Sequence, residues 1–196
     1  LGGLFTASGK NLSKVYAQKY LPAAAKPPST PKPNAAQVLA GIRKTTWFTV
    51  GNPKAPKILW AGMDPNCIFC HLTFEHLLPY IQKGEVQLRI MPVGFLKPSS
   101  LPKAVTILQS KDPAKAWEYD EAHFNVEMEE GGIVPVNNLS AEDRAEVQAN
   151  WAWMNRDGYY GTPLLVWKNT DGKAVVEDGM PMSIREVLQD IHSATH

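Results

Sequence analysis

Residues 56 to 94 constrain the fold of this chain more than any other stretch. "PKILWAGM", residues 56 to 63, is a short apolar run of strand length, broken by Asp64-Pro65-Asn66. "CIFCHLTFEHLLPYIQK" follows with a helical pattern, and Ile68, Leu72, Leu78 and Ile81 are among its apolar positions. "EVQLRIMPVG", residues 85 to 94, alternates, contains Val and Ile, and reads as a second strand. Strand, helix and strand with short connections make a βαβ unit, which joins a parallel pair.

The remainder can be fitted around that unit. Residues 98 to 157 are mostly helical by pattern: "LPKAVTILQS", "DPAKAWEYDEAHF" and "SAEDRAEVQANWAWMNRDG". Ser140 with Asp143 makes a capping-box-like start for the third. "TPLLVWKNTDGKAVVEDG" predicts a hairpin, its "LLVW" and "AVV" runs flanking the turn Asn169-Thr170-Asp171-Gly172. Ser183 caps a closing helix, "IREVLQDIH". The order β-α-β, helical insert, β-β, α is an α/β fold of thioredoxin-like arrangement with a helical insertion. No internal repeats are present.

Upstream, residues 1 to 21 read as a short strand, a turn at Ser8-Gly9 and a helix capped by Asn11, with Leu12, Val15, Tyr16 and Lys19 on one face. A piece this short cannot form a core alone and must dock or belong to a larger module. Five prolines in residues 22 to 33 exclude a helix or central strand and predict an extended linker. "NAAQVLAGIRK" predicts a helix capped by Asn34, with Val38, Leu39 and Ile42 as its apolar stripe; "TTWFTVG" predicts a strand ending at Gly51-Asn52. The expected organisation is an N-terminal piece over 1–21, a Pro-rich and helical linker over 22–50, and a catalytic domain over 51–196 with its helical insert at about 98–157.

With 196 residues, 44% of them hydrophobic, the chain can build one good core. A net charge of +1 argues against nucleic acid as the main partner. No run of 18 apolar residues exists, so membrane insertion is not expected. The chain begins at Leu1, so a processed or truncated chain is expected, and the missing leader says nothing about destination. Residues 1 to 63 carry nine Lys or Arg and no Asp or Glu, whereas residues 112 to 157 carry eleven acidic residues against three basic ones. Such segments read as solvated faces, or as a surface that steers a charged partner.

Both cysteines, Cys67 and Cys70, lie in "DPNCIFCH", and His71 follows them. C-x-x-C-H matches the c-type haem signature; C-x-x-C also marks redox dithiols and half of many zinc sites. Asn66 precedes the helix, which places Cys67 in its first turn and Cys70 one turn deeper, within disulfide reach. Free N–H groups and the helix dipole favour an anion there. A thiol pKa of about 8.5 falls in this motif class to roughly 3.5–7.5. Cys67 is then the nucleophile and Cys70 the buried resolving thiol.

A haem bound through His71 would displace the packing of the βαβ unit. Zinc needs four ligands, and none of His71, His76, His123, His192 or His196 has finger spacing to the cysteines. A purely stabilising disulfide across so short a loop would remove little unfolded-state entropy. His71 reads as a surface residue that tunes the Cys67 thiolate only if its ring lies near, and Glu75 and His76 read as solvated. Pro163 opens a strand in "GTPLLVW", where a sheet tolerates proline, and base rates alone predict a trans Thr162–Pro163 bond.

"KILWAGMDPNCIFC", "VQLRIMPVGFLKPSS", "ILQSKDPAKAW" and "GTPLLVW" together resemble the DsbC/DsbG family of periplasmic thiol:disulfide interchange proteins, with "KDPAKAW" narrowing the likeness to DsbG-like members. The resemblance runs from about Gly9 onward. It implies Cys67 as nucleophile, Cys70 as its partner, and a cis Pro163 facing the dithiol, which also keeps metal away. Thr162 would present its backbone to an extended substrate segment. Ile68 and Phe69 are expected to join Thr162 and Pro163 in substrate contact. No cofactor is implied. The implied partners are proteins with oxidised cysteines or disulfides and a DsbD-like membrane reductant, in the periplasm.

The likeness also implies that residues 1–21 are the remnant of a dimerisation module, pairing two chains. Two rival functions stay open: a net oxidase of DsbA type, and a chaperone-like binding module using the apolar surface around Phe69. Three departures stand out. Ile68-Phe69 replaces the family's Gly or Pro followed by Tyr, His71 replaces a Lys, and the N-terminal module is shorter.

Overall fold

The structure, a computed structural model, describes residues 32–193; the expected dimerisation remnant at residues 1–21 and most of the Pro-rich segment lie outside the described residues. The βαβ unit is present. β2 (Lys57–Met63) and β3 (Val86–Pro92) run parallel in a register from Lys57↔Val86 to Met63↔Pro92, joined by helix α2 (Ile68–Gln82). β4 (Leu164–Lys168) pairs antiparallel with β2, and β5 (Ala174–Asp178) pairs antiparallel with β4 as the expected hairpin. Gly172 accepts a positive φ of 77° at that turn, a conformation glycine adopts without a Cβ penalty. With β1 (Phe48–Val50) antiparallel to β3, the sheet order is β1-β3-β2-β4-β5.

Helices cover both faces of the sheet. On one face, Leu59, Leu88, Ile90, Leu165 and Trp167 pack with Phe74, Leu77 and Ile81 of α2, Trp117 of α4 (Pro113–Ala122), and Val187 and Leu188 of α6 (Ile184–Asp190). On the other, Trp60, Met91, Leu164 and Val166 pack with Val38, Leu39 and Ile42 of α1 (Ala35–Ile42) and with Met154 of α5 (Ala141–Arg156). α3 (Ser100–Leu108) meets α5 through Ala104, Val105 and Val147. Because both faces are covered, β3 is buried almost throughout rather than only at alternate positions.

Local rules place the helix starts well. The Asn34 side chain accepts from the Gln37 N–H and Ser140 from Asp143, each completing a capping box, and Ser183 accepts from Glu186. Non-local pairing corrects one expectation. α1 and β1 belong to the catalytic unit, which runs from Pro33 onward, so the linker does not extend to residue 50: β1 is an edge strand of the sheet and α1 packs on its face. The buried positions of α2 are Cys70, His71, Thr73, Phe74, Leu77 and Ile81, with Leu72 and Leu78 half-buried. Pro79 lies inside α2 on an exposed position, where solvent can satisfy the carbonyl it leaves unpaired.

Candidate active site

The break after β2 sets up the dithiol. Cys67 N–H donates to the Asp64 carbonyl (3.0 Å), and Cys67 is itself the N-cap of α2. Its Sγ accepts the Cys70 N–H at 3.2 Å, so the sulfur takes the place that a Ser or Asp oxygen occupies in an ordinary cap. Both thiols are free; Cys67 is 4% exposed and Cys70 fully buried. Opposite them the Thr162–Pro163 bond is cis, contrary to the base-rate expectation and in line with the resemblance. Cys67 Sγ donates to the Thr162 carbonyl at 3.4 Å, joining two segments 95 residues apart.

The two sulfurs titrate in opposite directions. The Cys67 thiol is held below its ordinary range, chiefly by a hydrogen bond from the Cys70 thiol. Burial opposes this, while Thr162 and the Cys70 N–H add to it, and the Asp64 charge works against it. Burial pushes Cys70 well above the ordinary range, and its neighbour Cys67 pushes it further. A stabilised anion beside a fully buried protonated thiol is the division that thiol exchange needs.

Around this pair, Asp64 ties the end of β2 to the turn after β3: Oδ1 accepts from Asn66 N–H (2.9 Å), and Oδ2 from Phe95 N–H (2.8 Å) and Leu96 N–H (3.1 Å). Burial raises its pKa even against these bonds. Ile68 is half-buried and Phe69 is 55% exposed beside the cysteines. Thr162 and Pro163 are buried, whereas Tyr160 and Gly161 before them are exposed.

His71 corrects the expectation of a surface residue. It is 6% exposed, its Nδ1 donates to Glu121 Oε2 at 2.8 Å, and its ring stacks on Phe124 at 4.3 Å. The Glu121 bond raises its pKa against the effect of burial. Burial raises Glu121 too, although His71 lowers it. The ring is thus engaged with α4, and the Cys67 thiolate owes its stabilisation to other groups. Glu75 and His76 are exposed as expected. Among the described residues, no group of three or more His, Cys, Asp or Glu could hold a metal ion.

Sequence reasoning did not anticipate buried polar groups near the site such as Lys103, Asp120 and Glu121, and it used Asn66 only to mark the helix start. Asp120 and Glu121 lie in the acidic segment read as solvated. Their only local signal is helical spacing, which places them three and four residues beyond the fully buried Trp117.

A thioredoxin-type sheet, a C-x-x-C at a helix start and a facing cis-proline define a thiol–disulfide oxidoreductase. No protein-family model matches the chain. It is 28% identical over 189 residues to the thiol:disulfide interchange protein DsbG of Pseudomonas aeruginosa, covering 95% of this chain and 69% of that protein. It is 29% identical over 183 residues to DsbG of Escherichia coli, covering 92% and 67%. The fold is shared with the catalytic domain of Proteus mirabilis ScsC (TM-score 0.53, 16% identity, 79% of this chain and 93% of that one). It is also shared with a disulfide interchange protein from Neisseria gonorrhoeae (TM-score 0.52, 24% identity, 76% and 98%). The chain is thus similar, over more than nine-tenths of its length, to DsbG thiol:disulfide interchange proteins.

Proposed function

We propose that the protein is a periplasmic disulfide isomerase and reductase in which Cys67 attacks and Cys70 resolves. The observation that carries this is the geometry of the pair: Cys67 caps α2 with its sulfur between the Cys70 N–H and the Thr162 carbonyl, and Cys70 is sealed beneath it. The Cys67 thiolate attacks one sulfur of a substrate disulfide. That S–S bond breaks, a mixed disulfide forms, and the second substrate sulfur leaves as a thiolate and takes a proton. In isomerisation the freed thiolate attacks another substrate sulfur, and Cys67 is eventually expelled. In reduction Cys70 gives up its proton and attacks Cys67, closing Cys67–Cys70 and releasing the second substrate thiol.

The same two-electron step reduces a sulfenic acid, with water as the leaving product. A DsbD-like membrane dithiol restores the pair. The exposed segment before Thr162 receives the extended substrate by strand addition, with Phe69 and Ile68 beside it. Pairing of two chains through residues 1–21 belongs to the same reading.

The test is exchange with a scrambled-disulfide protein. Cys67→Ser should abolish refolding of the substrate, and Cys70→Ser should accumulate a mixed disulfide through Cys67. A wild type that exchanges no disulfide but suppresses aggregation as well as Cys67→Ser does would end this reading in favour of a chaperone-like module. The thiolate that Cys70 stabilises also suits a net oxidase. Direction follows the potential against the partners, and a value near about −120 mV together with failure to accept electrons from a DsbD-like reductant would move the protein to the oxidase class.

A further inference from the structure

Asn66, the residue before the nucleophile, is a saturated hydrogen-bonding hub. Its Nδ2 donates to Ser99 Oγ (2.9 Å) and Ser100 Oγ (3.0 Å), and its Oδ1 accepts from Lys103 Nζ (3.1 Å) and Gly131 N–H (3.1 Å). An amide side chain has two donor hydrogens and two acceptor lone pairs, so none is left over. Its backbone N–H is held by Asp64. The residue that fixes where α2 begins is therefore bolted to three other segments.

Lys103 is the unusual member. It is 5% exposed, and lysine is almost never this buried unless paired. Besides Asn66, its Nζ donates to the Gly131 carbonyl (2.6 Å) and lies 3.5 Å from Glu130 Oε1, which in turn accepts from Ser99 Oγ (2.7 Å). Gly131 is required there, since a Cβ would run into the Asp120 carboxylate. Asp120 anchors the same loop by accepting from Gly132 N–H through its carbonyl (2.9 Å) and from Ile133 N–H through Oδ1 (2.9 Å). For stability alone, an apolar side chain of similar length would fill this place without the cost of desolvating an amine. Lys103 and Asn66 touch neither sulfur, and the exchange steps above make no use of them.

We propose that Lys103 is a positioning residue for thiol exchange: through Asn66 it holds the first turn of α2 so that the Cys67 sulfur meets both the Cys70 N–H and the Thr162 carbonyl. This rests on Cys67 being the attacking thiol. Loosening Asn66 frees the cap, and the thiolate loses the N–H that it accepts at 3.2 Å. The site predicts an acceptor-rich pocket around a lysine, and it links the insert loop at Gly131 to the reactivity of a cysteine more than 60 residues away.

The test is Lys103→Met, which keeps the apolar stem and removes the donors. The readouts are the titration midpoint of the Cys67 thiolate and the rate of exchange with glutathione disulfide. The midpoint should rise by about one pH unit, which at any pH well below the wild-type midpoint is an approximately tenfold fall in thiolate. Because a more basic thiolate is also more nucleophilic, the rate measured at such a pH should fall by only about threefold. Asn66→Ala should give the same shift, and the double variant no more than either single one.

Lys57→Met serves as the control for simple destabilisation. It deletes another partly buried lysine bond, to the Leu188 carbonyl (2.6 Å), and should lose stability without moving the midpoint. If Lys103→Met does not fold, the half-buried Ser99→Ala removes one arm of the hub and should shift the midpoint in the same direction by less. A folded Lys103→Met with the wild-type midpoint and rate, a shift matched by Lys57→Met, or an unmoved midpoint in Ser99→Ala would overturn the proposal. Wild-type protein that exchanges no disulfide would instead overturn the functional reading on which it rests.

Discussion

The two faces of the sheet are built from different materials. The face under α1 and α5 is mostly apolar: Asn150 donates to the Thr46 and Pro92 carbonyls and accepts the Thr46 N–H, buried Gln87 donates to the Pro53 and Ala55 carbonyls, and Arg89 lies over the Trp47 and Trp60 rings. The dithiol side buries Asp64, His71, Lys103, Asp120 and Glu121 within the same small domain. Apolar burial contributes about 25 cal/mol per Å², whereas buried charge is costly unless well paired. Both faces bury apolar side chains, and the dithiol side also carries buried charge to hold a reactive thiolate in place.

The largest effect should come from damaging the apolar face. Met154 is fully buried, and Met154→Ala should cost about 2–5 kcal/mol, read from denaturant unfolding, while the Cys67 thiolate midpoint stays put. A midpoint that moved with it would show that the faces are not independent.

A comparable effect with a pH signature should come from Asp120, whose pKa burial pushes up to about 7, with the Ile133 N–H and Lys103 opposing and Glu121 reinforcing the shift. The native state keeps this proton between 3.8 and about 7, where the unfolded chain has lost it. The associated stability is thus fully present below the lower value and lost as pH rises through about 7, on the order of 3–4 kcal/mol. His71 and Glu121, both raised, act with the same sign, while the lowered Cys67 acts with the opposite sign. Asp120→Asn should flatten the decline between about pH 4 and pH 7, the window of that shift, measured by thermal unfolding across that range. An unchanged slope would remove Asp120 from the account.

The smallest effect on stability should come from Phe69→Ala, within about 0.5 kcal/mol because the ring is 55% exposed. It should instead weaken exchange with protein substrates more than with glutathione disulfide. Equal losses on both would argue that Phe69 makes no substrate contact.

Much of this contrast was hidden in the sequence. The helix starts at Asn34, Ser140 and Ser183 were legible because a cap and its partner lie three residues apart. The strand–dithiol helix–strand unit was legible because its period changes within a short stretch. Features that depend on partners far along the chain were not. β1 pairs with β3 some 40 residues later, His71 meets Glu121 across 50 residues, and Asn66 meets Lys103 across 37. Physical reading of Thr162–Pro163 favoured trans, and only the family likeness pointed to the cis bond found. The thiols themselves were readable since the helix start that activates Cys67 is local, while the Thr162 carbonyl beside it is not.

The central claim is that Cys67 alone carries the reactive thiolate. Its most direct test is a pH titration of thiolate ultraviolet absorbance in the reduced wild type, Cys67→Ser and Cys70→Ser. The account predicts a wild-type transition below the ordinary thiol value of about 8.5. That transition should vanish in Cys67→Ser and persist in Cys70→Ser, shifted upward because the Cys70 thiol is the chief stabilising partner. A low transition that survives in Cys67→Ser, or a wild type that titrates at or above the ordinary value, would contradict it.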